Sequence, residues 1–510
     1  MTPGIAIRLA CPARGVRLDR SAVLARHRAS APQTATVVAQ YWDTASMALQ
    51  RRAMALALLA RDGGPVVQTL EIESSFPLTA QSFTSPGGAS APGFAFALAQ
   101  GFEPDESLSA QERDLRPMFT IRIERTWRTV AFRDGTRVAL AIDRGTMQAG
   151  AQPGRGRGTR RRFREIAIVL LEGDARRVCD LARELVGEQP GLRLEFASLA
   201  QRGYRLVTGS TAAGGRPRRT PPQRRASGAQ VAIAGLRDAL SQFAANAAGA
   251  ASDADPEYVH RMRAALRRLR VADRLAGAAG LPVFPRRLVG DIRWLSGVLA
   301  AARDWDVVQT QTWPAIRNDA RGMRGIDVVS ARIAVERARR HRDLRVALRS
   351  ARFQRLMLEL LRTLLPSFES HAPARSVRRR DAKSFARRVL APLLADVAKA
   401  DRRLGEHALP ERQHALRIVA RKLRYGAELF ADGDARRPVS RYLRRLADLQ
   451  SVLGDLNDLR VSGRLIARAA GAHLPAAHAI ARSLVARRLA LARRLQRARK
   501  RFRNTVAFWD

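Results

Sequence analysis

The chain has 510 residues and carries 91 lysine and arginine side chains against 46 aspartate and glutamate side chains, a formal net charge of +45. This charge is far larger than solubility requires, and it predicts a polyanionic partner. Two cysteines, Cys11 and Cys179, are too few for a disulfide framework or a cysteine metal cluster. The apolar runs are too short to cross a bilayer and no signal-peptide pattern follows Met1, so we expect a cytoplasmic protein with no membrane partner.

The distribution of charge and a stretch rich in glycine and proline divide the sequence into two domains and a linker. Residues 1–210 hold 29 basic and 20 acidic side chains, which leaves +36 of the +45 charge on residues 211–510. The polyanion is therefore expected to bind the C-terminal part. We predict a first domain over residues 1–208, a flexible basic linker rich in Gly, Pro and Arg over 209–229, and a second domain over 230–510.

The first domain has short segments that alternate between apolar and polar residues, separated by turn residues. This pattern predicts an antiparallel sheet or barrel with a few helices, an α+β domain. The predicted strands are Ile5–Leu9, Val66–Ile72, Phe119–Ile123, Arg137–Ile142 and Glu165–Leu171. Between the last two strands, the arginine-rich loop of residues 154–164 could contact any polyanion, and its composition indicates no specific ligand.

The second domain has helical apolar spacing throughout and no strand alternation, which predicts an all-α fold. Seven prolines lie at the proposed starts or gaps, where a helix tolerates them, namely Pro256, Pro282, Pro314, Pro366, Pro410, Pro438 and Pro475. The predicted helices cover residues 231–248, 257–279, 284–301, 328–348, 351–364, 384–403, 411–431, 438–453, 458–470 and 476–503.

One motif occurs twice in this domain at an offset of 154 residues, which indicates an internal duplication. Each copy places a histidine and three arginines at i, i+3, i+7 and i+10, along one face of a helix whose other face is apolar. The two stripes are His260, Arg263, Arg267 and Arg270, and His414, Arg417, Arg421 and Arg424, with Arg268 and Lys422 beside them. Because neighbouring cations repel one another, this stripe is best explained by an anionic ligand. A solvated basic helix face is the alternative, and the duplication argues against it.

A second motif follows each copy at the same offset. Leu295 and Leu299 precede Arg303-Asp304, and Leu449 and Leu453 precede Asn457-Asp458. The nearby carboxylates, which are Asp304, Asp306, Asp455 and Asp458, could be metal ligands. We favour a structural role, in which they cap helices or hold arginines in place, so no metal site is predicted here. Each motif histidine likewise has two interpretations, a phosphate donor or a buried packing residue.

Residues 230–510 resemble the CHAD family, the conserved histidine α-helical domain. The resemblance lies in Val259-His260-Arg261-Met262-Arg263, in Arg421-Lys422-Leu423-Arg424-Tyr425, and in the two Leu-x-x-x-Leu motifs with the residues after them. It implies two related four-helix bundles that bind inorganic polyphosphate, as at polyphosphate granules in bacteria. By this resemblance the expected ligand contacts are His260, Arg263, Arg267, Arg268, Arg270, His414, Arg417, Arg421, Lys422 and Arg424.

Residues 1–208 resemble the CYTH family, the triphosphate tunnel fold. The matching blocks include Tyr41-Trp42-Asp43-Thr44, Phe119-Thr120-Ile121-Arg122, Asp143-Arg144-Gly145 and Glu165-Ile166. Active tunnel enzymes begin with Glu-x-Glu-x-Lys, and here Gly4, Ala6 and Arg8 occupy those positions.

In the late acidic motif of that family, Glu165 alone remains, because Ala167 and Val169 replace the next two carboxylates. Since magnesium requires oxygen ligands, the resemblance implies a degenerate domain without hydrolase activity. The arginines at positions 51, 52, 122 and 125 could still bind a phosphate chain, and surface salt bridges explain them equally well.

Three functions therefore remain in consideration. The first is non-catalytic binding of polyphosphate at granules, with no cofactor. The second is an inorganic triphosphatase that needs magnesium or manganese at Glu165, and the third is non-specific binding to nucleic acid. Low aromatic content, 5%, and the lack of a base-reading motif disfavour sequence-specific nucleic-acid recognition.

Overall fold

The computed structural model describes residues 4–18, 20–74, 76–85, 92–150, 158–209, 227–252, 255–365, 382–405, 409–431, 437–471 and 476–509. Most of the predicted linker, residues 210–226, and the part of the basic loop at 154–157 lie outside these residues. The chain forms two compact units, described separately below. The first comprises Met1–Arg218, Ala244–Asp253 and Leu348–Ser370, and the second comprises Arg219–Phe243, Ala254–Ala347 and His371–Asp510.

The first unit is built on an antiparallel sheet that closes into a barrel. Its strands are β1 (Gly4–Ala10), β2 (Arg28–Ala29), β3 (Gln33–Asp43), β4 (Met54–Arg61), β5 (Val67–Glu73), β6 (Thr79–Thr84), β7 (Arg116–Ala131), β8 (Arg137–Ala149), β9 (Arg160–Glu172) and β10 (Arg193–Leu194). Eight of them run in the order β1-β6-β5-β4-β3-β7-β8-β9, and pairing of β1 with β9 closes the ring. This confirms the α+β barrel predicted from the sequence.

The five predicted strands are all present, and the other described strands, β2, β3, β4, β6 and β10, were not predicted. Met54–Arg61 is rich in alanine and leucine, which favour helices in isolation. Its pairing with β3 on one side and β5 on the other overrides that preference.

Six helices join the barrel strands, α1 (Ala22–Ala25), α2 (Ala48–Arg51), α3 (Ala95–Leu98), α4 (Glu106–Ala110), α5 (Arg176–Glu188) and α6 (Leu199–Thr208). The first unit also holds a helix from much later in the chain, Ala351–Leu364, which packs against α5. Arg362 Nε donates to Asp180 at 2.9 Å, and Gln354 Oε1 accepts from the backbone N–H of Leu194 at 2.9 Å.

The second unit is helical, as predicted. In chain order, the helices from residue 228 onward are α7 (Gly228–Ser252), α8 (Pro256–Ala278), α9 (Arg286–Val307), α10 (Trp313–Asp319), α11 (Ile326–Arg349), α12 (Ala351–Leu364, the helix of the first unit), α13 (Ala382–Leu404), α14 (Pro410–Ala431), α15 (Arg437–Ala470) and α16 (Ala476–Arg503). The arrangement as two duplicated four-helix bundles stays a prediction. No helix in the described residues is long and apolar enough to span a bilayer.

The prediction of separate helices at 438–453 and 458–470 was wrong, because Arg437–Ala470 is one helix of 34 residues. Gly454 suggested a break, since glycine in a helix interior costs about 1 kcal/mol. Burial of Leu453 and Leu456 on either side of it offsets that cost. The short helix Trp313–Asp319, which follows a single π-helical turn at Val308–Thr312, was not predicted.

Candidate functional site

The two histidine motifs lie on α8 and α14. Asp255 caps α8 by accepting from the backbone N–H of Glu257 at 2.8 Å, and Pro256 occupies the first turn, where no N–H is needed. The apolar faces are buried, with Met262 and Leu266 on α8 and Leu416 and Leu423 on α14 at most 1% exposed. Burial of these faces fixes the rotation of each helix and therefore the direction of its cations.

The two stripes come together where α8 packs against α14. Arg267 Nε donates to the hydroxyl of Tyr425 at 3.2 Å, which joins the two helices. Burial first, and then the cations of Arg417 and Arg267, lower the pKa of Arg421 to about 10. The pKa of Arg417 is lowered by burial and by Arg263 and Arg267, while Asp458 acts in the opposite direction. We call Arg263, Arg267, Arg417 and Arg421 the central arginine cluster.

The central arginine cluster contains more positive charge than its neighbours neutralise. Arg263 donates to Asp304 at 3.0 Å, and Asp458 lies near Arg417. Within the described residues, no carboxylate lies within 4 Å of Arg267 or Arg421. Half-buried like charges repel one another, so an anion that enters the cluster would relieve this repulsion.

Both motif histidines stand beside the central arginine cluster. The pKa of His260 is lowered by burial first and then by Arg303 and other cations. The pKa of His414 is lowered by burial first and then by Arg417, while the Asn457 side chain acts in the opposite direction. A bound anion would act in the opposite direction and favour the protonated imidazoles, which can then donate to it.

The structure separates other predicted contacts from the cluster. Arg424 Nε donates to Glu428 at 2.7 Å and its Nη1 donates to Gln450 at 3.1 Å. Arg268 donates to Gln242 at 2.7 Å and lies 3.5 Å from the same Glu428. These two arginines therefore have partners within the protein.

Arg270 and Lys422 also lie apart. Arg270 is exposed, and its pKa is lowered by burial of its inner part and by Arg274 and Arg293. Lys422 lines a different cavity of about 410 Å³, together with Arg274 and Arg388. The structure thus brings together six of the ten residues that the sequence proposed, the four arginines and two histidines.

Three carboxylates of the second motif, those of Asp304, Asp306 and Asp455, lie beside basic side chains. Besides Asp304 with Arg263, the fully buried Asp306 accepts from Arg337 at 2.7 Å and from His341 at 2.8 Å. Asp455 lies 3.8 Å from Arg494. Among the residues that the structure describes, no group of three or more His, Cys, Asp or Glu side chains could hold a metal ion.

The inner face of the barrel is charged. Burial and Glu71 raise the pKa of the Tyr41 hydroxyl, and Arg8, Arg202 and Arg125 act on it in the opposite direction. Arg8, Tyr41, Glu71 and Arg125 lie on β1, β3, β5 and β7, and Arg202 lies on α6. Most of these strands are not neighbours in the sheet, so their side chains can approach one another only inside the barrel. Helix α6 reaches this interior too, since Phe119 packs on Tyr41 and Tyr204.

The interior charges are paired with one another. The fully buried Glu165 binds Arg8 at 3.3 Å through one oxygen and Arg202 through the other. Arg125 forms two hydrogen bonds of 2.8 Å with Asp143. A divalent metal would have to displace arginines from both oxygens of Glu165 before it could bind there.

The remaining arginines proposed for the barrel lie away from this interior. Arg122 is exposed, and alternation along β7 places it on the opposite face from Arg125. Arg52 pairs with Asp105 at 3.0 Å, and Arg51 donates to Ser46 at 3.0 Å.

Comparison with known proteins identifies the helical unit. Residues 234–467 match the family model of the CHAD domain. This region, 234 of the 510 residues, is similar to the CHAD domain. The crystal structure of the CHAD domain from the plant Ricinus communis is similar, with 28% sequence identity and a TM-score of 0.50, and the match covers 57% of this chain and 97% of that one. The resemblance drawn from the histidine motifs is confirmed.

Two further solved structures resemble parts of the chain. PptA from Streptomyces chartreusis is 17% identical, with a TM-score of 0.41, over 56% of this chain and 99% of its own. A Hippeastrum protein with a dominant triphosphatase activity is 15% identical, with a TM-score of 0.26, over 40% of this chain and 96% of its own. The closed eight-stranded antiparallel barrel of the first unit agrees with the resemblance of residues 1–208 to the triphosphate tunnel fold. A search of curated proteins gave no match.

Proposed function

We propose that the CHAD domain binds inorganic polyphosphate without hydrolysing it, and that the central arginine cluster is its main contact. The observation that carries this proposal is the meeting of two cationic stripes at one place, with Arg267 and Arg421 lacking a carboxylate within 4 Å among the described residues. Such a cluster gains most from a ligand with closely spaced negative charges. Guanidinium forks suit phosphate oxygens because they can donate two parallel hydrogen bonds.

The arrangement of the arginines in space supports one class of ligand. The unpaired arginines lie along two helices, so a linear chain of phosphates can contact both stripes at once. Double-stranded DNA is wide and presents its phosphates on the outside, which suits exposed cations more than half-buried ones. The family resemblance also points to polyphosphate. Association with polyphosphate granules is part of the same proposal, and fluorescence microscopy of a tagged chain in granule-forming cells would test it.

For the barrel we propose a non-catalytic role. The pairing of Glu165 with Arg8 and Arg202 supports this, because hydrolysis in a tunnel needs free carboxylate oxygens for a metal ion. The alternative is a triphosphatase, which would have to use a carboxylate arrangement other than the one that the family motif specifies.

A competition measurement on the full-length protein tests the proposed function. Labelled duplex DNA is displaced by long-chain polyphosphate, and labelled polyphosphate by DNA, at matched concentrations of phosphate groups. We expect polyphosphate to compete at far lower concentration, and Arg263→Gln together with Arg417→Gln to weaken its binding by about 100-fold, since each charge-assisted contact contributes about 1.5–3 kcal/mol.

The matched control is Arg441→Gln with Arg444→Gln, which removes two exposed cations from α15. The control should change the affinity by less than about threefold, because exposed charges contribute little. Equal competition by DNA and polyphosphate, or equal effects of the two double variants, would instead indicate a general polyanion surface.

A further inference from the structure

A cavity of about 350 Å³ opens beside the central arginine cluster on the side of the second motif copy. It lies among α14, α15 and α16, and its lining includes His414 and Arg417 from α14. These two residues therefore face both the cluster and the cavity. The cavity is a continuation of the cluster in one direction.

Three further arginines line the cavity, namely Arg460 and Arg464 on α15 and Arg488 on α16. Asn457, Arg460 and Arg464 follow helical spacing along one face of α15, which extends about 10 Å from the first to the last. In the described part of the chain, no acidic side chain lines this cavity and none lies within 4 Å of these three arginines.

Most of the other lining residues are apolar, among them Leu456, Leu484 and Val485. The side chains of Arg460, Arg464 and Arg488 remain exposed, so a chain of phosphates can reach them from solvent.

The first motif copy lacks these cations. At the offset of 154 residues, Asp306 corresponds to Arg460, Thr310 to Arg464 and Ala334 to Arg488. Asp306 is fully buried and is held by Arg337 and His341. At these three positions the first copy carries one negative charge and the second copy carries three positive charges, although the motifs that define the cluster are the same.

We propose that this cavity is an extension subsite that takes the phosphates beyond those held by the central arginine cluster, so that a bound chain runs toward the second motif copy. This inference rests on the proposed function and adds a direction and a chain-length preference to it. A short chain fills the cluster alone. A long chain also contacts Arg460, Arg464 and Arg488, and gains affinity from them.

The test compares two triple variants of the full-length protein. The first changes Arg460, Arg464 and Arg488 to glutamine. The control changes Arg441, Arg444 and Arg501, which are exposed on the same two helices and do not line the cavity, to glutamine. Both triple variants remove three charges, so they alter the long-range field of the protein by the same amount. Tripolyphosphate and long-chain polyphosphate are the ligands, and calorimetry measures both affinities.

We expect the cavity triple variant to lose about 10- to 100-fold in affinity for the long chain and less than about twofold for tripolyphosphate, with the control within about threefold for both ligands. If the wild type and the Arg417→Gln variant behave as the proposed function requires, but the two triple variants bind long chains equally well, the subsite is refuted and the function stands. If the wild type does not bind polyphosphate, both proposals fail.

A third outcome also counts against the subsite. Equal losses for tripolyphosphate and for long chains in the cavity triple variant would mean that these arginines act on the cluster itself. Thermal unfolding of each variant verifies that the helical unit is folded, and all three substituted positions are exposed, so the fold should persist.

Discussion

Replacing Arg421 with glutamine should make the protein more stable and, at the same time, unable to hold polyphosphate tightly. Burial and the neighbouring cations of Arg417 and Arg267 lower the pKa of Arg421 to about 10. A shift of this size corresponds to at most about 3 kcal/mol of unfavourable free energy for the charged form. Partial exposure screens the charge, so we expect removal of the cation to stabilise the free protein by about 1–2 kcal/mol.

The matched control is Arg424→Gln, one turn further along the same helix. Arg424 donates to Glu428 and Gln450, so its loss leaves the buried part of Glu428 with a weaker partner. We therefore expect Arg424→Gln to destabilise the protein by about 1 kcal/mol and to leave the polyphosphate affinity within about threefold. Two neighbouring arginines would then have stability effects of opposite sign.

Urea unfolding of the full-length variants, monitored through a spectroscopic signal of the helical unit, gives the free energy of unfolding with and without polyphosphate. At a polyphosphate concentration 100 times the dissociation constant, the wild type should gain about 2.7 kcal/mol, and Arg421→Gln should gain much less. If Arg421→Gln destabilised the free protein as much as Arg424→Gln does, the cluster would contain no repulsion for a ligand to relieve.

Three further predictions concern the motif histidines, Asp180 and Glu165. The pKa values of His260 and His414 are lowered in the free protein, so the unfolded chain binds more protons at low pH. The free protein should therefore lose stability as pH falls below about 6.5, while polyphosphate affinity measured by calorimetry rises and a His260→Gln, His414→Gln double variant shows neither trend. Asp180→Asn should lower the free energy of unfolding of the barrel unit by about 1 kcal/mol in a urea titration, because Asp180 accepts a hydrogen bond from Arg362 of α12. With magnesium or manganese, phosphate release from triphosphate should not exceed that of a Glu165→Gln control, and a robust difference between them would reinstate the triphosphatase.

Helical spacing predicted the core of the site and failed at its ends. Residues at i, i+3 and i+7 stay close on one face, which is why Arg263 and Arg267 reach the cluster with His260. In the second copy the residue at i+10, Arg424, pairs with Glu428 four residues later on the same helix, and this i, i+4 spacing is visible in the sequence. The contacts of Arg424 with Gln450 and of Arg268 with Gln242 join different helices, so they depend on packing that a pattern on one helix cannot show.

Strand alternation had a similar limit. It identified the five strands with clear patterns and missed those in which alanine blurs the pattern. The extension cavity has a signal in the sequence, the exchange of Asp306 for Arg460 at the repeat offset. Its meaning becomes apparent only when α14, α15 and α16 are seen to enclose a common space.

The two units differ in whether their buried arginines are paired with carboxylates. Inside the barrel, Arg125 is bound by Asp143, and Arg8 and Arg202 are bound by Glu165, so their charges are largely neutralised within the fold. In the helical unit, Arg267 and Arg421 are brought together with no carboxylate within 4 Å among the described residues. A buried charge that is already paired has little to gain from a phosphate, whereas an unpaired one gains both a partner and relief from its neighbours. We therefore expect the proposed polyanion binding to lie in the helical unit, even though both units are rich in arginine.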